Sequence, residues 1–385
     1  MVRPQLFLFF AAEWCMAAAM GVHDSIFNNF LSDTFALSAE SRGWLELPRE
    51  APGFLVFLTS GLLAALPLTR VGVVGTLVLG AGLVGLGLFG SHYALMMAFM
   101  CIGSAGMHIL QPVGTTVAIS LSTEKNRGWR LGQMGFVDNI GVVAGAGFVF
   151  LVFDRTAPQY RALFFCAALL ACLAAIVYAF MNVPSLHKPR ARLVFRMKYR
   201  LYYLLEFFFG ARKQIFITFG PWVLIKVYGA PASTIAALLI AAAVIGIFFK
   251  PTIGLLIDRF GERAILMADG LTLAVVCIGY GYASRIMPDP GHARMLACGC
   301  FIADNLLFSL GSARAVYLSR HTGNSQELTS TLAMGVSINH IVSMTIPIVA
   351  GAVWSGFGYE RVFLGAALLA LFTAALSSRV PGKKA

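Results

Sequence analysis

Apolar runs of about twenty residues or more recur from one end of this chain to the other, and no other feature restricts its fold as far. Each is long enough to cross a ~30 Å hydrocarbon core as a helix rising 1.5 Å per residue. Inside lipid, every backbone N–H and C=O has to be satisfied by the protein itself, which leaves helices and closed barrels. Runs of this length are helical. Twelve spans are expected, at roughly 5–37, 51–68, 71–91, 93–121, 131–153, a sixth ending near 182, 201–227, 233–257, 264–282, 294–318, 328–354 and 362–376. Of the 385 residues, 58% are hydrophobic and 12% charged, about half the charged share of a soluble globular protein, which excludes a cytosolic enzyme.

The formal net charge of +12 would suggest a nucleic-acid partner in a soluble chain. Its distribution points elsewhere. With the N-terminus in the cytoplasm, Arg3, Arg70, Lys125, Arg127, Arg130, the basic residues of 188–200, Arg259, Arg263, Arg320, Arg379, Lys383 and Lys384 all fall on the inner side, while the outer loops hold fewer. This positive-inside bias sets both ends in the cytoplasm of a multi-pass inner-membrane protein, with no nucleic acid as partner. The opening Met-Val-Arg-Pro-Gln-Leu-Phe-Leu has the basic start of a signal peptide, but its removal would break the even span count. The seven cysteines all sit in apolar helix sequence, with no disulfide framework and no zinc spacing.

Polar residues at membrane depth are costly and normally face water or a partner. Arg212 and Lys213 lie side by side near the middle of span seven, with Glu206 seven residues before Lys213 and nearly on its face. Span one carries Glu13, His23, Asp24, Asn28 and Asn29; span four, His108 and Gln111; span ten, Asp304, Asn305 and Arg314. Arg212 and Lys213 are candidate contacts for an anionic group, since a guanidinium donates two parallel hydrogen bonds to a carboxylate or phosphate; the alternative is neutralisation by Glu206. His108, Gln111, Asn28 and Asn305 are further candidate substrate contacts, with interhelical hydrogen bonding as the alternative. Asp24, His23, Glu13, Glu206 and Asp304 are candidates for binding and releasing a proton. Arg314 is expected to snorkel to the inner surface, and Lys250 and Asp269 to act as inner-side gate or topology charges. His23, His108 and His340 lie on three different spans with no paired ligand spacing, so no metal site and no cofactor is expected.

The chain also repeats. Gly21-Val-His-Asp-Ser-Ile-Phe-Asn-Asn-Phe30 aligns with Gly210-Ala-Arg-Lys-Gln-Ile-Phe-Ile-Thr-Phe219, Thr69-Arg-Val-Gly72 with Asp258-Arg-Phe-Gly261, Ala118-Ile-Ser-Leu-Ser122 with Ala315-Val-Tyr-Leu-Ser319, and Met134-Gly-Phe-Val-Asp-Asn139 with Met334-Gly-Val-Ser-Ile-Asn339. Four matches in chain order imply two six-helix bundles entering the membrane in the same sense, with substrate held between them near the midplane. The domains are then 1–182, a basic cytoplasmic linker 183–200 lying on the anionic inner leaflet, and 201–385. Asp138-Asn139 and Asn339-His340 fall at repeat-related places and are expected to form a polar interface between the bundles.

Gly254-Leu-Leu-Ile-Asp-Arg-Phe-Gly-Glu-Arg263, between spans eight and nine, resembles the loop signature of the major facilitator superfamily. With twelve spans, a basic central linker and the repeat, the resemblance covers the whole chain. It implies an all-α membrane fold of two pseudo-symmetric bundles, alternating access, and a cavity lined by spans one, four, seven and ten. It also makes Asp258, Arg259, Arg263 and Arg70 candidate gate residues at the inner helix ends. Two departures stand out: Thr69 replaces the signature Asp in the first half, and span five lacks the Gly-Pro step of drug antiporters.

The expectation is a proton-coupled secondary transporter of a small organic anion, acting as a monomer. One alternative is proton-driven efflux of a cationic or zwitterionic compound bound by Glu13, Asp24 and Glu206. Transition-metal transport and a non-transporting receptor, which would carry a soluble domain or long tail, are weaker readings. No nucleophile with a base and an orienting partner can be assembled, which argues against an enzyme.

Overall fold

The computed structural model describes residues 2–63, 66–123, 126–183 and 194–382. Most of the expected linker, 184–193, lies outside the described residues, as do Lys125, Lys383 and Lys384. Among those described there is no strand. The helices run α1 (Val2–Phe35), α2 (Ala39–Trp44), α3 (Glu46–Leu63), α4 (Leu68–Phe89), α5 (Tyr93–Ser120), α6 (Arg127–Val152), α7 (Tyr160–Phe180), α8 (Arg200–Lys226), α9 (Ala232–Gly281), α10 (Ala283–Ile286), α11 (Pro290–Leu307), α12 (Ser312–His321), α13 (Ser325–Phe357) and α14 (Tyr359–Ser377).

Nine segments among the described residues are long and apolar enough to cross a membrane. One of them, the 50-residue α9, holds two expected spans, because Gly261 interrupts it at φ 81°. A side chain there would be strained in that left-handed backbone, and this is the glycine of the signature loop. Two more helices, α3 and α8, stand at the second and seventh places; Glu46, Arg49 and Glu50 in α3, and Arg212 and Lys213 in α8, lower their hydropathy. The twelve-span expectation fits this order.

Three expected boundaries differ. The charged stretch 38–50, expected as a loop, forms α2 and the first turns of α3, with Ser38 capping α2 by accepting from the Ser41 N–H. Span ten is not one helix: α11 ends at Leu307, a 3-10 turn covers Phe308–Gly311, and α12 follows. Of the linker, Tyr199 is buried, and Arg196 donates to Ser330 Oγ at 2.8 Å, so its described end is tied to α13 while Phe195, Met197, Lys198 and Arg200 stay exposed.

The chain divides into two compact units: Met1–Ala36, Pro48–His187 and Ala230–Ile247 form the first, and Leu37–Leu47, Lys188–Gly229 and Phe248–Ala385 the second. In the first, α1 packs on α6 and α7, and α4 on α5 and α7. With no hydrophobic drive between helices in lipid, close van der Waals approach holds them, and small residues allow it. A Cβ on Gly145 of α6 would sit 2.0 Å from the Ala18 carbonyl of α1, and one on Gly82 of α4 would sit 2.4 Å from Gly103 Cα of α5. In the second unit α8 packs on α13 and α14, and α2 lies on α13, where a Gly43 Cβ would come 2.2 Å from the Pro347 carbonyl. Phe216, Tyr280 and Phe363 form an aromatic core there, with ring centroids 4.8 to 5.2 Å apart.

Candidate transport site

Helix α8 positions the polar groups of the second unit, because it is buried along most of its length yet carries Glu206, Arg212, Lys213 and Gln214. Each finds a different partner. Arg212, 1% exposed, donates through Nη1 to Asp304 Oδ1 of α11. Lys213, half-buried, donates to Asn339 Oδ1 of α13 at 2.7 Å, with its ammonium 6.0 Å from the Phe308 ring centroid. Gln214 donates to Glu46 Oε2 at 2.9 Å, and Glu46 also takes Arg42 at 2.5 Å; all three side chains are buried. Glu206 accepts from Arg314 Nε at 2.8 Å and from Asn339 Nδ2 at 3.5 Å.

The outcome corrects the sequence reading on several points. Glu206 does not neutralise Arg212: six residues apart, the two lie about 120° apart around the helix and ~9 Å along it, and each turns to a different neighbour. Arg314 does not snorkel; it is buried, with its guanidinium 3.4 Å from the Phe209 ring centroid, because the 3-10 turn before α12 sends it back toward α8. Asp269, expected as an inner-side gate or topology charge, is 1% exposed. Arg212, expected to meet an anion directly, already holds a carboxylate.

In the first unit Glu13 is half-buried on α1. Tyr178 of α7, itself buried, donates its hydroxyl to Glu13 Oε1 at 2.6 Å, and Gly114 of α5 leaves room where a Cβ would lie 2.9 Å from Oε2. His23 Nδ1 lies 2.9 Å from Asp24 Oδ1 and its ring stacks on Phe27 at 4.8 Å; the Asp24 side chain is 55% exposed. His108 Nδ1 contacts the Ser104 carbonyl at 2.8 Å, and its Nε2 stands 3.9 Å from Glu50 Oε2. Gln111 is exposed, Asn28 half-buried, and Asn29 donates to the Ala230 carbonyl at 2.9 Å. Asp138 is half-buried and Asn139 buried. In the second unit Asn305 is exposed and donates to the Phe301 carbonyl at 2.9 Å, and His340 is half-buried beside Asn339.

Among the gate candidates, Asp258, Arg259, Arg263 and Arg70 are exposed, and Arg259 lies over the Phe260 ring at 5.3 Å. The buried acid of the signature loop is Glu262, which sequence reasoning passed over; Arg320 of α12 meets it with Nε 2.9 Å from Oε1. Tyr178 carried a signal that went unused, a polar group flanked by apolar helix sequence, whereas Arg42, Glu46 and Glu262 sit among other charges and glycines and do not stand out in the sequence.

Residues 9–325 match the family model of the Major Facilitator Superfamily. The chain belongs to that superfamily, a family of membrane transporters and not of enzymes. It is 26% identical over 338 residues to the uncharacterized MFS-type transporter YfkF of Bacillus subtilis (strain 168), covering 84% of this chain and 81% of that one. Among solved structures it resembles the nucleoside transporter NupG, with a TM-score of 0.74 at 14% identity over 97% of this chain and 98% of that one. A D-xylose-proton symporter gives 0.74 at 14% identity, covering 97% of each chain. Identity at that level speaks for the fold alone.

Proposed function

We propose that this chain is a proton-coupled secondary transporter that moves a small organic anion by alternating access, as a monomer in the inner membrane with both termini cytoplasmic. The observation that carries the anion reading is the half-buried Lys213, held by Asn339 in the middle of α8 beside the Arg212–Asp304 pair. An ammonium oriented by a side-chain amide is a ready anion contact, and Phe308 at its side supplies a cation-binding ring face. Lys213 makes the direct contact in this reading, while Arg212 serves once Asp304 lets it go; Asn305, His108, Gln111 and Asn28 complete the polar lining. Glu13, Asp24, His23, Glu206 and Asp304 carry the proton between them, and the likeness in fold to a proton symporter is compatible with that coupling. Asp258, Arg259, Arg263 and Arg70 serve as inner gate charges, and Asp138, Asn139, Asn339 and His340 as polar packing between bundles.

The test is uptake of labelled organic acids into proteoliposomes under an imposed proton gradient. Lys213→Gln is expected to lower uptake about tenfold, the equivalent of ~1.4 kcal/mol of lost anion binding, chiefly through KM. Unchanged uptake in Lys213→Gln and Arg212→Gln alike refutes the anion reading. One observation favours a second reading: the exposed Asp24 carboxylate on α1 suits a cationic or zwitterionic cargo. In that case Asp24→Asn abolishes transport of the cation and the two basic-residue variants retain it.

A further inference from the structure

Asp269 lies on the second stretch of α9, and its two carboxylate oxygens are buried with no hydrogen-bond donor among the described residues. Two buried arginines within its electrostatic reach have capacity to spare. Arg212 uses Nη1 on Asp304 and Arg314 uses Nε on Glu206, while Arg212 Nη2 and Arg314 Nη1 have no acceptor among the described residues. Orphaned groups of opposite character in one buried neighbourhood are a cost that a native fold tolerates where one of them changes state. The ionisable groups that act on Asp269 are Arg212 from α8, Asp304 from α11 and Arg314 from α12, with Glu206 behind it. Helix α14, whose Ala370 and Ala374 lie against Gly270, brings only Thr373 as a polar group to that level.

We propose that Asp269 is a proton-binding site of the second unit, whose ionisation decides whether Arg212 is held by Asp304 alone or shared with Asp269. With a proton on Asp269, the carboxyl is neutral and makes no demand on the guanidinium. When that proton passes to water, the carboxylate draws Arg212 Nη2 and Arg314 Nη1, and the hold on Asp304 loosens; both arginines stay protonated throughout. Counted with Lys213, the cluster has three cations against Glu206, Asp304 and Asp269, so it is neutral when Asp269 is ionised and one charge positive when it is protonated. Proton uptake would thus favour an incoming anion, which deepens the proton-coupled reading above by adding a site that reading does not contain.

Infrared difference spectroscopy of the purified full-length protein in lipid nanodiscs, between acidic and alkaline buffer, tests this without any substrate. Its outcome is therefore separate from that of the anion-uptake assay. With isotope-labelled aspartate, the wild type is expected to show a labelled carboxylic-acid C=O band that disappears on the alkaline side. One component of that band is lost in Asp269→Asn and retained in Asp304→Asn and Asp24→Asn. Should the Asn variant fail to fold, Asp269→Glu decides, because the labelled band is then replaced by an unlabelled one from the new glutamic acid. A labelled-band pattern left unchanged by Asp269→Asn and by Asp269→Glu, or a wild type without a titrating aspartate band, overturns the proposal.

Discussion

At the buried pair Glu206–Arg314 the loss of a single side chain bears on stability. Two charges removed from water repay their desolvation only while both are present and hydrogen-bonded, so deleting one leaves the other uncompensated. Glu206→Leu is expected to destabilise the protein by about 3–5 kcal/mol, and Arg314→Met by a similar amount. The double variant should cost less than the sum of the two, since no orphan charge remains at that pair. Melting curves in detergent check this; strict additivity would mean that the 2.8 Å contact contributes nothing. Arg212, by contrast, was recognisable from sequence as a polar outlier, whereas its pairing with Asp304 depends on how two helices turn toward each other across 92 residues of chain.

At the scale of elements, glycine spacing decides how near two helices come. Gly141 and Gly145 on α6 face Ala17, Ala18 and Val22 of α1, while Gly147, two residues on, has nothing within 4 Å of where a Cβ would stand. Gly145→Ala is therefore expected to cost about 1–3 kcal/mol through overpacking. Gly147→Ala is expected to be neutral or slightly stabilising, because alanine is the better helix former. Equal melting temperatures for the two variants would contradict the close α1–α6 packing. Both glycines stand on the same helix two residues apart, and only their rotation about the α6 axis separates the tight one from the open one. The same limit explains why span ten was read as continuous: hydropathy carries no mark of the 3-10 turn at Phe308–Gly311.

For the molecule as a whole, the charge distribution predicts a topology that can be checked directly. In a cysteine-free background, Thr156→Cys, in the exposed connection after α6, should react with a membrane-impermeant thiol reagent added outside intact cells. Arg379→Cys, exposed beyond α14, should react only after the membrane is opened. The reverse pattern would invert the orientation and with it the assignment of the signature loop to the inner side.

Helices long enough to span a membrane, their order and the family were legible in the amino-acid order, because hydropathy and local spacing act along the chain. So was the set of costly polar residues, since each stands out against apolar neighbours: Glu13, Glu206, Arg212, Lys213, Asp304 and Asn339 were all singled out. Which acid meets which base was decided by tertiary packing. Asp304 rather than Glu206 takes Arg212, Arg314 turns inward, and Asp269 is sealed among arginines, because electrostatic partners are chosen by distance through space.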